Sequence, residues 1–425
     1  MSLRLKAPFN DLFEHAREDE EYAVIGTLSY KDGDRDVAID GVKMTVRGNT
    51  SRRETECVFP KLKVQLPAGA AAGALLSGNT SLKIGTHCGE SADDNLTEKY
   101  GRLPNEQSPL REAFVYRLLD SLGVAALKAR PARVTYVYAD ARPAQSPAQE
   151  QAIVRNAMLL ENTDEAVKRF GGVREIGEKT FTNARAQFSA ADTARLAFAE
   201  AMIGNFDWCL KMTPNDAYRC DARHPLWNVI AAAAADGKAR PVIYDFDVSG
   251  MVAGRHAWFK DTLNERFVTS HSPTEVEVLA QVQRTRTLFS RADLDAARAD
   301  FVKRKADAYA ALASATIDPP GKRRAQEYLD AFYAAIGSDR AFYRPVVTKP
   351  GAKLYSNEQR AALCSSLGAI PIGTPVSEPL QTKDTLIQVH ILDALWHWAP
   401  PAKCAAVREG PVWIEADAVG RDFPK

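Results

Sequence analysis

At 425 residues, with 45% apolar and 26% charged residues, the chain has the composition of an ordinary globular protein too long for one small core. A net charge of +1 supplies neither a basic field for nucleic acid nor an acidic surface for cationic substrates. Its blandest run, VIAAAAADG at 229–237, falls far short of the roughly 20 apolar residues a membrane span needs.

The opening MSLRLKAPFND has no apolar stretch of the signal-peptide kind, and a mature form with a replaced leader is the expectation. The first 70 residues then read as strands. YAVIGTLSY and VKMTVRG are β-rich, DGDRD between them is turn chemistry, and KLKVQL alternates with Leu62, Val64 and Leu66 on one face. A small-residue loop, PAGAAAGALLSGN, precedes a short strand, SLKIGTH. From Ser108 the pattern turns helical: Ser108 is the candidate N-cap, Pro109 the first helical residue and Gly123 the stop. Leu110, Phe114, Leu118 and Leu122 give this helix an apolar stripe at i, i+4 spacing.

Two further strands, ARVTYVYAD and AIVRNAMLLEN, complete the β-rich part. SAADTARLAFAEAMIG predicts a helix from a Ser or Asp cap to Gly204, and two long helices follow near 290–316 and 322–337, separated by the breaker DPPG. Strands first and helices later predict an α+β fold with its site between a β-rich lobe, about 1–165, and a helical lobe, about 166–342. Past Arg344 the short β patterns KLYS, AIPIGTPVS, LIQVHIL and PVWIEADAVG predict a small closed barrel over 348–425. There is no internal repeat.

The stretch NFDWCLKMTPND, followed by the strand end VIYDFDVSG, places Asp207, Asn215, Asp245 and Asp247 around a loop and a strand terminus. In an extended chain Asp245 and Asp247 share one face and Phe246 takes the other. Phosphoryl transfer needs oxygen ligands for magnesium and a carboxylate to orient the attacking hydroxyl, and this set supplies both. The competing reading of each residue alone is an ordinary cap or Asx turn.

Six cysteines, Cys57, Cys88, Cys209, Cys220, Cys364 and Cys404, fall as three sequential pairs with no zinc-ligand spacing. Three disulfides, 57–88, 209–220 and 364–404, in an oxidising compartment are the expectation. Six buried thiols in a reducing one are the alternative. No Ser-His-Asp arrangement stands out. Trp396 and Trp398, in ALWHWAP, form a candidate ligand face, against which stands simple packing in the C-terminal core.

These motifs together resemble the CotH family of atypical protein kinases. VRGNTS at 46–51, FPKLKVQL, LREAFVYRLLDSLGV, MLLENTDEAVKR, GNFDW…ND and YDFDVSG carry the resemblance over about residues 20–260. It implies an atypical-kinase-like domain using ATP with magnesium or manganese, with Asp207 orienting the acceptor hydroxyl, Asn215 and Asp245 holding the metal, and Asp247 as a further carboxylate. It also implies a lysine on the nucleotide phosphates, Lys83 first and Lys63 second, steadied by Glu112, with Arg47 on phosphate. The C-terminal segment resembles bacterial SH3-like domains, as in GAKLYS, GTPVSE and GPVWIEADAV, which implies a cell-wall or protein ligand.

The implied protein is a periplasmic or secreted kinase of an exported or envelope protein substrate. There are departures: no G-x-G-x-x-G loop occurs, the Asp207-to-Asn215 spacing is stretched, and Asp207 and Asp245 are 245 − 207 = 38 positions apart. They leave a second reading, a catalytically inactive relative acting as a binding or structural module.

Overall fold

The computed structural model describes residues 1–48, 52, 59–70, 73–85, 96–97, 101–102, 106–140, 151–177, 187–210, 225–254, 272–363, 369–391, 407 and 410–422. Asn215, Cys57, Cys88, Cys220, Cys364, Cys404, Trp396 and Trp398, singled out in the sequence, lie outside these residues.

Seven strands close into a barrel: β1 (Ser2–Ala7), β2 (Ala23–Asp32), β3 (Arg35–Val46), β4 (Leu62–Gln65), β5 (Ser81–Gly85), β6 (Ala129–Tyr138) and β7 (Ala152–Leu160). Their spatial order is β1-β2-β3-β4-β5-β7-β6. The seam is the parallel pair β1·β6, from Ser2 opposite Arg133 to Ala7 opposite Tyr138. The alternation of β1 explains its placement: Leu3, Leu5 and Ala7 point into the core and Arg4 and Lys6 out. In β2, Gly26 sits at a register shift, and a Cβ there would stand 2.2 Å from the Lys6 carbonyl oxygen, so the strand can pass β1 only as glycine. Phe9 and Leu12 of helix α1 (Phe9–His15) bury in the same core, with Phe9 packed edge-on to Tyr136.

A second core gathers helices α2 (Ser108–Ser121), α4 (Ala190–Ile203), α5 (Pro273–Leu288), α6 (Arg291–Lys303), α7 (Lys305–Ala313) and α8 (Pro319–Ile336). With them are the short helix α3 (Thr163–Arg169) and an antiparallel sheet of β8 (Gly172–Ile176), β9 (Val229–Ala234) and β10 (Ala239–Ile243). Phe198, Phe301, Phe332 and Phe342 form its aromatic centre.

The caps of α4 follow expectation: Ser189 accepts from the Asp192 N–H, and Gly204 ends the helix at φ +66°. Helix α2 starts differently. Gln107 is its N-cap, and Ser108 lies buried in the first turn without capping. The long helix expected near 290–316 is broken at Arg304 into α6 and α7, and the structure adds α5, whose Ser272 and Glu275 form a capping box.

Residues 346–420 have their own core, including Val347, Val389, Ile391, Val412 and Ile414. Closure occurs at the N-terminal end of the chain. Among the described residues the C-terminal segment forms a three-stranded antiparallel sheet (Gln381–Lys383, Leu386–Val389, Val412–Glu415) and a two-stranded pairing of Val346–Val347 with Val419–Gly420. Among the described residues the architecture is α+β and includes a seven-stranded closed barrel. No helix among the described residues is long and apolar enough to cross a membrane.

Candidate functional site

Strand β4 turns Leu62 and Val64 into the barrel, so Lys63 and the preceding Lys61 face outward on one side. Lys61 crosses to the loop after β10. Its Nζ donates to Asp245 Oδ1 at 2.7 Å and to Asp247 Oδ2 at 2.8 Å. The lysine side chain is 9% exposed, while Asp245 at 31% and Asp247 at 17% keep an edge toward solvent.

Helix α2 is the platform for this loop. The Asp245 N–H donates to Tyr116 Oη at 2.9 Å, and the Phe246 N–H donates to Glu112 Oε1 at 3.2 Å. Arg111, one position away, donates from Nη1 to the Val252 carbonyl and grips Asp318 through two bonds of 2.9 and 2.7 Å. The two carboxylates do converge, but not through an extended strand: β10 ends at Ile243, and Asp245 lies in the left-handed region at φ +68°. That conformation is costly for most residues and tolerable for Asp, and it clusters at functional sites.

The electrostatics show a surplus of negative charge. Burial works against the Lys61 ammonium, yet Asp245 and Asp247 raise its pKa well above the ordinary lysine value. Burial pushes Glu112 up to about 8, with Asp247 and Asp245 adding and Lys61 opposing. Burial also raises Asp247, whereas the Lys61 charge and hydrogen bond bring Asp245 below its ordinary value. With Glu112 holding its proton, one ammonium faces the two carboxylates of Asp245 and Asp247. Magnesium typically takes one or two carboxylates and completes its shell with water and substrate phosphates. Asp245 and Asp247 are two carboxylates bridged in this structure by Lys61, and among the described residues no group of three or more acidic, His or Cys side chains is disposed around one metal position.

Asp207 lies on the neighbouring loop, three positions past Gly204. Its N–H donates to Asn205 Oδ1, and Asn205 Nδ2 donates to the buried Glu200 at 2.9 Å. Trp227 Nε1 donates to Asp207 Oδ1 at 3.2 Å, and Asn228 Nδ2 donates to its Oδ2 at 3.1 Å and to its carbonyl at 2.6 Å. Asn228 is itself left-handed, at φ +54°, and its carbonyl accepts from the Tyr244 N–H. It therefore ties the Asp207 loop to the residue preceding Asp245.

Lys63 and Lys83 pair across β4 and β5, and Lys83 Nζ donates to Thr163 Oγ1 at 3.0 Å. Burial lowers the Lys83 pKa, and the charges of Arg47 and Lys63 lower it further, so these three cations share one patch. Arg47 also acts on Lys61 and Asp245, which joins the patch to the carboxylate loop. The lysine bonded to the carboxylates is Lys61, not Lys83 or Lys63, the two that the resemblance implies. The signal was there, in the Pro-Lys step of FPKLKVQL. Asn228 and Tyr116 were also passed over, and nothing local marks them. Cys209 is buried and is not a free thiol.

No family model matches the chain, and no curated protein matches it. Among solved structures, the Helicobacter pylori proinflammatory kinase CtkA is similar at 11% identity, over 66% of this chain and 90% of that one, with a TM-score of 0.34. A likeness that loose assigns neither fold nor function. The resemblances to the CotH family and to SH3-like domains rest on the motifs quoted above.

Proposed function

We propose that this site carries out phosphoryl transfer from ATP to a hydroxyl of an exported or envelope protein. The observation that supports it is Lys61 bonded at once to Asp245 and Asp247 on a loop held by α2. Asp245 and Asp247, with Asn215, would hold a magnesium or manganese ion, which when bound supplies charge neutralisation on the nucleotide phosphates. Lys61 and the Arg47, Lys63 and Lys83 patch offer cations for phosphate oxygens. Glu112, anchored on the Phe246 N–H, holds the loop against α2.

Asp207 orients the acceptor hydroxyl. The hydroxyl oxygen bonds to the γ-phosphorus as the bond to the β–γ bridging oxygen breaks, ADP leaves with that electron pair, and the hydroxyl proton passes to an Asp207 oxygen. Its Oδ1 accepts from Trp227 and its Oδ2 from Asn228, and a carboxylate oxygen has room for more than one donor. The Trp227 and Asn228 donors fix its direction, which suits a reaction governed by positioning. Residues 348–425 form the second module of this reading, an SH3-like unit that recruits a cell-wall or protein ligand. The 57–88, 209–220 and 364–404 disulfides and a periplasmic or secreted setting complete it.

The test is thermal unfolding with ATP and magnesium or manganese, on wild type and on Asp245→Asn. Asparagine tolerates the left-handed backbone at 245, so the variant removes charge and spares the turn. A ligand that binds only the folded state raises the midpoint as its concentration rises. A metal-dependent rise in wild type, lost in the variant, is the expected result. No rise at millimolar nucleotide would overturn this reading in favour of the non-catalytic one. One observation favours that second reading: the sequence has no G-x-G-x-x-G loop to cradle the phosphates.

A further inference from the structure

Gly204 ends α4 three positions before Asp207, and Gly250 lies three positions after Asp247. The two glycines touch: the Gly250 N–H donates to the Gly204 carbonyl at 2.9 Å. Against both, from α8, packs the Tyr328 ring, 1% exposed. A Cβ on Gly204 would stand 2.2 Å from Tyr328 Cε1, and a Cβ on Gly250 would stand 1.9 Å from its hydroxyl. Gly204 needs its left-handed φ in any case. Gly250 does not have a positive φ, so what forbids a side chain there is Tyr328 itself.

The same helix face makes a second grip. Arg324 lies four positions before Tyr328, hence on the same side of α8. Its Nη1 donates at 2.7 Å to the carbonyl of Val252, in the one-turn helix Gly250–Ala253 that follows the acidic loop. The start of α8 is in turn pinned to α2 through Arg111 and Asp318, which is its N-cap. One helix, remote in sequence from every acidic residue of the site, thus contacts the roots of both acidic loops.

We propose that Tyr328 is a positioning residue: packed against both Gly204 and Gly250 where the two are hydrogen-bonded, and aided by Arg324, it fixes how the loop of Asp207 sits against that of Asp245 and Asp247. This rests on the phosphoryl-transfer reading for its functional meaning and on the glycine contacts for its structural one. Misplacement of a catalytic group by a distant change can cost up to about 10²-fold in turnover. Loss of Tyr328 therefore shows in kcat more than in the KM for nucleotide, because Lys61 and the phosphate patch lie on the barrel.

The experiment is hydrogen exchange of the full chain, read on peptides covering 204–210 and 245–254, in wild type, Tyr328→Phe, Tyr328→Met and Tyr328→Leu. Nucleotide-plus-magnesium midpoint shifts are read on the same samples. Tyr328→Met retains bulk should the leucine variant fail to fold. The expected result is faster exchange in both loops together for Met and Leu, protection near wild type for Phe, and unchanged protection in β2 and β3. Faster exchange in one loop only, in neither, or equally throughout the helical core would overturn the proposal. Absence of any nucleotide shift in wild type would instead remove the phosphoryl-transfer reading and leave the coupling of the two loops to be judged on exchange alone.

Discussion

Lys61 and Asp245 lie 184 residues apart in the chain and meet at 2.7 Å, one from the outer face of the barrel and the other from the loop after β10. A buried ammonium and its carboxylates are each costly to leave without the other. Replacing Lys61 with methionine keeps its length and removes its charge, leaving Asp245 and Asp247 facing each other. The expected loss of stability is about 3–5 kcal/mol, read as a lower denaturation midpoint. Nucleotide binding should vanish as well. An unchanged midpoint would mean that the pair contributes nothing to holding the loop against the barrel.

Glu112 gives the site a pH dependence of defined sign. Its folded value is raised to about 8 from an ordinary 4.5, so the folded state holds a proton that the unfolded chain has released. The stability it contributes is present in full below pH 4.5 and is lost as pH rises through about 8. Glu112→Gln cannot titrate. The difference in unfolding free energy between wild type and this variant should therefore drift against wild type between those values and then level off. A flat difference across the window would contradict the protonated Glu112.

Asp207 should separate chemistry from binding. Asp207→Asn can still accept at one oxygen and leaves Lys61, Asp245 and Asp247 in place. Nucleotide-plus-metal midpoint shifts should match wild type, while transfer falls by roughly 10²–10⁴-fold, the usual contribution of a positioned acid–base group. Equal transfer rates would remove Asp207 from the mechanism.

Arg286 should decide how firmly the C-terminal segment is held. It is buried in α5 and donates to the carbonyls of Arg344, at 2.9 Å, and of Arg421. Nearby, Arg291 pairs with Asp422 and Arg421 with Glu378. Arg286→Ala should cost about 1.5–3 kcal/mol, the range for hydrogen bonds from a charged donor. It should also expose residues near 344–348 to limited proteolysis, with products of about the two expected sizes. Resistance equal to wild type would show that the segment is held by its other contacts.

What could be read from the sequence were features whose cause is local. The Ser189 cap and the Gly204 stop each follow from residues within a turn of one another, whereas the helix expected from 322 begins at Pro319, because Asp318 caps it and the two prolines fill its first turn. The capping box of α5 was equally local and was overlooked, in SPTE at 272–275. Lys61 is different. Strand alternation places it on the same face as Lys63, so pattern alone cannot say which of the two meets Asp245. The left-handed turn at Asp245 was illegible for a related reason, since Asp tolerates that conformation but does not demand it. Tyr328 carries no mark at all; its importance arises from two glycines far from it in the chain.

The seam of the barrel governs the order in which the protein can be made. Strand β1 pairs with β6 from Ser2 opposite Arg133, a separation of 133 − 2 = 131 positions. One edge of β1 can pair with β2 soon after both are made, but its other edge stays open until β6 has emerged. Contacts of such long sequence separation slow folding and leave apolar edges open to wrong partners in the interval. β4, which follows Lys61, belongs to the same barrel, so the lysine half of the site is carried by a sheet whose closure depends on that distant pairing.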